Sequence, residues 1–169
     1  MIKPKSKVPA LEVKLINDSI WNLEKQRPDA FTLIIFYRGL HCPVCKKYLE
    51  SLKPKLEDFS ERGVNVVAIS MDTEKRAKLS GEKWDVESVP IGYGMTEVKA
   101  REWGLYISNA IKDAEPAVFS EPAVFLVRPD GTLYFSSVQT MPFARPTLES
   151  LIKAIDFVTK EDYPARGGA

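Results

Sequence analysis

Phe31-Thr32-Leu33-Ile34-Ile35-Phe36-Tyr37, followed at once by Arg38-Gly39-Leu40-His41-Cys42-Pro43-Val44-Cys45, is the stretch on which the fold turns. The first part is almost continuously apolar and rich in aromatic and β-branched residues. That composition reads as a strand covered on both faces, as in a central sheet. Beyond the cysteines, Cys45, Leu49, Leu52, Leu56 and Phe59 recur with the period of one helical face. Lys46, Lys47, Glu50, Lys53, Lys55, Glu57 and Asp58 occupy the other faces. Pro54 predicts a kink in this helix, and Gly63 a stop. The segment therefore runs strand, Cys-x-x-Cys, helix.

Working outward, Leu11 to Ile16 alternates apolar and charged residues, and Asn17-Asp18-Ser19 supplies a turn. Ile20 to Leu23 then returns as a hairpin partner. Downstream, Val64 to Ser70 reads as a second buried strand. Asp72 or Thr73 caps a helix reaching about Trp84, and Val89 to Ile91 is a short strand. Thr96 to Trp103 is a short helix ended by Gly104. Pro122 to Val127 is a third apolar strand. Pro129-Asp130-Gly131 fits a type I turn, and Thr132 to Val138 returns antiparallel. Thr147 caps a last helix with Leu148, Leu151, Ile152, Ile155 and Val158 on one face. Early βαβ units imply a parallel centre and the late hairpin an antiparallel edge. The expected class is α/β, a mixed central β-sheet flanked by helices, with an N-terminal β-hairpin. No repeat or linker divides the chain, so residues 1–169 read as a single domain. Residues 1–9 and 163–169 read as loose termini.

The chain has 169 residues, 44% apolar and 28% charged, with a formal net charge of +1. That length can bury a substantial core. The charge balance leaves no excess of Lys and Arg to neutralise phosphates, which argues against a nucleic-acid partner. No apolar run is long enough to span a bilayer, so no membrane association is expected. Met1 to Pro9 is basic, but no apolar stretch of signal-peptide length follows it. The expected compartment is the cytoplasm.

The only two cysteines are Cys42 and Cys45, and the only histidine is His41. A structural disulfide framework needs more cysteines and longer loops, and so short a loop constrains the unfolded chain little. A closed zinc site wants four ligands, and only three Cys and His side chains exist. No metal and no organic cofactor is expected. The remaining chemistry is thiol redox. Cys45 heads the apolar stripe and should point inward. Cys42 sits at the strand-to-helix junction, where unpaired N–H groups and the positive end of the helix favour a thiolate. The offset of three residues brings the sulfurs within bonding reach. One sulfur can attack a substrate, and the other can then release the mixed intermediate. His41 has two readings: an aromatic shelf beside the nucleophile, or a cation that lowers its pKa.

Phe36-Tyr37-Arg38-Gly39-Leu40-His41-Cys42-Pro43-Val44-Cys45 resembles the active-site segment of the peroxiredoxin-like branch of the alkyl hydroperoxide reductase / thiol-specific antioxidant (AhpC/TSA) family. Val66 to Asp72, Ala100-Arg101-Glu102-Trp103-Gly104-Leu105 and Pro122 to Gly131 resemble later segments of it. The resemblance runs from about Pro9 to Phe157 and implies a thioredoxin-like fold and an antioxidant oxidoreductase. In the family register Cys45 is the peroxide-attacking cysteine. Cys42 stands where the family has a threonine, Arg38 where it has a proline, and Pro122 where it has an arginine. Arg38 is then a candidate to replace the missing charge.

By likeness to thioredoxins, Cys42-Pro43-Val44-Cys45 and a cis Pro122 would serve disulfide exchange instead. A cis Pro122 would leave the preceding backbone free to pair with an extended substrate segment. The buried acid of thioredoxins is replaced by Phe36, and Glu121 is the substitute candidate for moving a proton. Two activities therefore compete: reduction of hydroperoxides, with Cys45 attacking, and reduction of disulfides, with Cys42 attacking. A non-catalytic redox-sensing or binding module is a further alternative. Either activity implies a thiol reductant such as a thioredoxin- or glutathione-type system. The family often forms dimers, so a homodimer is one assembly the resemblance admits, with Trp21, Trp84 and Trp103 as candidate interface residues.

Overall fold

The computed structural model describes residues 1–169. In chain order its elements are β1 (Glu12–Leu15), β2 (Ile20–Asn22), β3 (Phe31–Phe36), α1 (Pro43–Leu52), α2 (Leu56–Glu61), β4 (Val64–Ile69), α3 (Glu74–Lys83), β5 (Ile91–Tyr93), α4 (Glu97–Glu102), β6 (Ile107–Asn109), β7 (Val118–Ser120), β8 (Ala123–Val127), β9 (Leu133–Val138) and α5 (Leu148–Glu161). Seven strands form one mixed sheet in the order β2-β1-β5-β4-β3-β8-β9. The three strands β5, β4 and β3 run parallel, and every other pairing in that sheet is antiparallel.

Every residue of β3 is buried, and the alternation of the strand explains how. Leu33, Ile35 and, just beyond, Tyr37 enter one apolar cluster with Leu49 and Leu52 of α1, Phe59 of α2 and Leu151 and Ile155 of α5. Ile34 and Phe36 enter a second cluster on the opposite face, with Ala100 of α4, Trp103 and Phe125. Both faces of the strand are covered, so neither carries charge. Trp21, Trp84 and Trp103 are all buried within these clusters. They fill the core of this chain and are not available as interface residues, which corrects that expectation. Large aromatic side chains repay burial more than exposure.

The α1–α2 segment breaks where proline requires it. A tight turn at Lys53–Lys55 containing Pro54 separates the two helices. Gly63 then takes φ +70, where a Cβ would stand 2.7 Å from Asp29 Cβ. Thr73 caps α3 and Thr96 caps α4, and Thr147 caps α5 through a bond from the Ser150 N–H.

Two expectations need correction, and one pair of strands lay beyond the sequence reading. The short strand expected at Val89–Ile91 lies at Ile91–Tyr93, because Pro90 has no N–H and contributes only its carbonyl, to Ala68 N–H at 2.9 Å. A two-stranded ribbon, β6 with β7, was not legible in strands of three residues each. The N-terminal segment, expected to be loose, is tied to β9. Lys5 N–H donates to Leu133 O at 2.8 Å, Leu133 N–H to Ser6 O at 2.9 Å and Val8 N–H to Gly131 O at 3.0 Å. At the other end Ala165 is buried and Tyr134 Oη donates to Tyr163 O. No helix is long and apolar enough to cross a membrane.

Candidate active site

The dithiol lies where β3 hands over to α1. Cys42 is the N-cap of α1 in an extended conformation, and Pro43 takes the first helical position, where a missing N–H costs nothing. Cys45 N–H donates to Cys42 Sγ at 3.2 Å. Sulfur thus does the capping that a hydroxyl usually does. Cys45, one turn in, is fully buried, as its place on the apolar stripe implies. Cys42 is only 3% exposed, and both are free thiols.

The charge distribution differs from the sequence expectation. Helix-terminus reasoning puts the thiolate on Cys42, whereas the surroundings favour Cys45. Burial opposes ionisation of Cys45. The Cys42 thiol hydrogen bond, the Arg145 guanidinium and the Arg38 backbone N–H outweigh it, and its pKa falls to about 6. Cys42 is pushed up instead, first by sharing its proton with Cys45 and then by burial. The physical reason is the direction of the donors. Arg145 Nη2 lies 3.3 Å from Cys45 Sγ and donates to it, whereas the donor to Cys42 Sγ is the Cys45 backbone N–H.

Arg145 comes from the segment between β9 and α5, one hundred residues from Cys45 in sequence. Its guanidinium also stacks on Tyr48, with Cζ 4.3 Å from the ring centroid. Tyr48 Oη in turn donates to Pro146 O at 2.8 Å. Sequence reasoning did not single out Arg145. It stands in an irregular stretch between two prolines, and no periodicity or motif marks it.

Arg38 and Glu121 are brought together. Arg38 Nε and Nη2 donate to Glu121 Oε2 and Oε1, both at 2.8 Å, and Ser108 Oγ donates to Oε1 at 2.7 Å. Glu121 therefore has both oxygens engaged and is not the free proton acceptor sought in the sequence. The carboxylate holds the Arg38 pKa above its ordinary value. Arg38 also lies over Phe119, 5.3 Å from the ring centroid. His41 packs its ring against the same Phe119, centroids 4.6 Å apart. Burial lowers the His41 pKa, with Arg76 and Arg38 acting in the same direction against Asp72 and Glu115. An imidazole below its usual pKa is largely neutral at pH 7, which favours the aromatic shelf over the cation.

Pro122 lies at the β7–β8 junction, and its peptide bond is trans, as are all others in the chain. The cis expectation is thereby corrected. The flanking backbone is already paired. Glu121 N–H donates to Tyr106 O at 2.8 Å, and Gln139 N–H to Pro122 O at 3.0 Å.

Asp72 has a role beyond the helix cap considered for it. Its buried carboxylate accepts Leu40 N–H at 2.8 Å and Arg76 Nε at 3.1 Å. It thereby fixes the loop between Arg38 and Cys42. No group of three or more His, Cys, Asp or Glu side chains gathers in metal-ligating geometry.

Known structures share this architecture. A Mycobacterium tuberculosis peroxidoxin, BcpB, superposes with TM-score 0.73 at 16% identity, covering 95% of this chain and 98% of that one. A peroxiredoxin 6 variant from Arenicola marina gives 0.78 at 20% identity, covering 96% and 76%. A yeast mitochondrial 1-Cys peroxiredoxin gives 0.78 at 14% identity, covering 96% and 78%. At these identities the likeness speaks for the fold. No curated protein matches the sequence. The AhpC/TSA family profile matches residues 4–136, from the tethered N-terminal segment into β9, and the chain belongs to that family, the peroxiredoxin-like thiol-dependent peroxidases built on a thioredoxin-like fold.

Proposed function

We propose that the protein reduces hydroperoxides by attack of Cys45, with Cys42 as the resolving thiol. The observation that carries this reading is the 3.3 Å contact between Arg145 Nη2 and Cys45 Sγ. It supports a thiolate on Cys45 and a retained proton on Cys42. The Cys45 thiolate attacks one peroxide oxygen, the O–O bond breaks, and the departing alkoxide takes a proton and leaves as alcohol or water. Cys45 becomes a sulfenic acid. Cys42 then displaces hydroxide from that sulfur, its own proton completes a water, and a Cys42–Cys45 disulfide forms. An external thiol of thioredoxin or glutathione type returns both sulfurs to the reduced state.

The competing reaction is disulfide reduction started by Cys42. It needs Cys42 to be the ionised sulfur, and the raised Cys42 pKa weighs against it. Arg38, anchored by Glu121, adds positive potential near the sulfurs, and His41 and Phe119 wall the site.

The test is peroxide consumption with dithiothreitol as reductant, alongside insulin-disulfide reduction. Peroxide is expected to be consumed, with Cys45→Ser inactive. Cys42→Ser should still form a sulfenic acid that dimedone traps on Cys45. A Cys45→Ser variant that keeps its turnover while Cys42→Ser loses the first step would overturn the assignment.

A further inference from the structure

We propose that Asp72 is a positioning residue for the dithiol: through the Leu40 N–H its carboxylate holds the turn that leads into α1, and so keeps Cys42 Sγ in place beside Cys45. The inference rests on the peroxidase reading only for the reaction that the two sulfurs then carry out.

The turn has one hydrogen-bonded tether to the rest of the fold. Cys42 N–H donates to Gly39 O at 3.1 Å, which closes the turn on itself. Leu40 N–H donates outward, to Asp72 Oδ2 at 2.8 Å, and no other backbone group of residues 39–41 bonds beyond the turn. The Leu40 side chain packs on the apolar core and the His41 ring on Phe119. Apolar contacts of that kind are non-directional, whereas a hydrogen bond fixes an angle as well as a distance.

Asp72 is firmly mounted. It is buried, its N–H donates to Ser70 Oγ at 3.2 Å, and its carbonyl accepts Gly94 N–H at 2.9 Å, which ties it to the ends of β4 and β5. It does not cap α3, since Thr73 does. Its carboxylate turns toward Gly39 instead, where only the missing Cβ leaves room. Arg76 Nε donates to Oδ1 at 3.1 Å and supplies the compensating charge. That compensation matters because Asp72 lies in the electrostatic field of the site. The buried Tyr37 phenol feels both Asp72 and Cys45, and the His41 ring feels both Asp72 and Arg76.

Two influences of opposite sign therefore reach the sulfurs from one side chain. As a negative charge, Asp72 opposes a thiolate on Cys45. As a mount, it favours one. Two residues beyond Leu40, Cys42 Sγ accepts Cys45 N–H at 3.2 Å and shares its proton with Cys45. The mount governs, because Arg76 offsets the charge and a hydrogen bond made directly to a charged sulfur outweighs a Coulomb interaction across the turn. The same mount serves the resolving step, in which a Cys42 already in place reaches the oxidised Cys45 ahead of a free thiol.

The opposite signs supply the test. The iodoacetamide rate at Cys45 is followed against pH, resolved by peptide mass, in the wild type, Asp72→Ala and Asp72→Asn. Asp72→Ala frees the turn, so the Cys45 midpoint should rise by about one pH unit or more. Asp72→Asn keeps an acceptor for Leu40 N–H and removes the charge, so its midpoint should return to the wild-type value or below. After an equimolar addition of peroxide, Asp72→Ala should also leave several-fold more dimedone-trapped Cys45 relative to disulfide than the wild type does. Should Asp72→Ala not fold, Asp72→Ser takes its place, since its hydroxyl stops one bond short of the carboxylate oxygens. A midpoint that falls in Asp72→Ala would make the carboxylate a nearby charge and nothing more. A midpoint that does not move would make it a purely structural residue. Equal rises in Asp72→Ala and Asp72→Asn would make the Arg76 pair, and not Leu40, the working contact. Each of these three results overturns the proposal. If the wild type forms no sulfenic acid with peroxide, the peroxidase reading fails, and the alkylation midpoints still decide for or against Asp72.

Discussion

Arg38 and Glu121 form a two-pronged ion pair, both bonds 2.8 Å long, with the carboxylate almost wholly buried. The pair joins the exit of β3 to the β7–β8 junction, and Ser108 of β6 joins it from the side. Three segments far apart in sequence are thereby locked at the edge of the dithiol. The guanidinium is partly exposed, so solvent relieves some of the cost of leaving it unpaired. Glu121→Ala is expected to destabilise the fold by about 3 kcal/mol, near the low end for breaking a buried pair. Urea unfolding of the variant measures this directly, and a loss below about 1 kcal/mol would mean the pair is no clamp.

The lowered Cys45 pKa fixes the sign of a pH dependence. The thiolate is the nucleophile, so reactivity rises as pH rises through about 6 and levels off above it. Arg145→Gln removes one cause of the lowering, so its midpoint should move upward, toward the ordinary cysteine range near ~8.5. The check is the iodoacetamide rate at each cysteine, resolved by peptide mass, from pH 4 to about 10. A wild-type midpoint for Cys45 near the ordinary value would contradict the charge assignment.

Much of this architecture could be read from the chain, and the reasons differ by element. β3 was legible because Phe31 to Tyr37 is apolar at every position but Thr32, which admits few alternatives. α1 was legible because Cys45, Leu49 and Leu52 repeat at helical spacing and Pro54 marks the break. The place of Cys42 and Cys45 at the strand-to-helix junction followed from their spacing and from the strand and helix on either side. What stayed hidden depends on long-range contact. Arg145 reaches Cys45 across one hundred residues. The β6–β7 ribbon is too short for a periodic signal, and its Phe119 and Ser108 meet His41 and Glu121 only in three dimensions. The placement of charge also escaped the sequence. The helix terminus pointed to Cys42, but a guanidinium in contact outweighs a partial charge at a helix end.

Gly39 is a position where glycine is required twice over. Its φ is +132, and a Cβ there would stand 2.5 Å from Asp72 Oδ1. Asp72 cannot retreat without releasing Leu40 N–H and Arg76. Gly39→Ala is therefore expected to cost about 2 kcal/mol or more, from backbone strain and the displaced carboxylate together. It should also loosen the Arg38–Cys42 loop. Thermal unfolding reads the first effect. The second appears as faster alkylation of Cys42, and an unaltered melting temperature would show that the loop accommodates the methyl group.

Cys42 does two jobs at once, and a single substitution separates them. Its sulfur caps α1 by accepting Cys45 N–H, and its proton is shared with Cys45. A threonine can do both, since its hydroxyl accepts the same N–H and donates toward the neighbouring sulfur. It cannot form a disulfide. In Cys42→Thr the fold should keep its stability to within about 1 kcal/mol, and Cys45 should keep a pKa well below the ordinary cysteine range. The first turnover with peroxide should persist, the sulfenic acid should accumulate, and further cycles should depend on the concentration of added glutathione. Cys42→Ala, which supplies neither donor nor acceptor, should raise the Cys45 pKa and slow even the first turnover. Stopped-flow peroxide consumption with dimedone trapping compares the two variants. Equal first-turnover rates in Cys42→Thr and Cys42→Ala would show that the proton shared by Cys42 plays no part in activating Cys45.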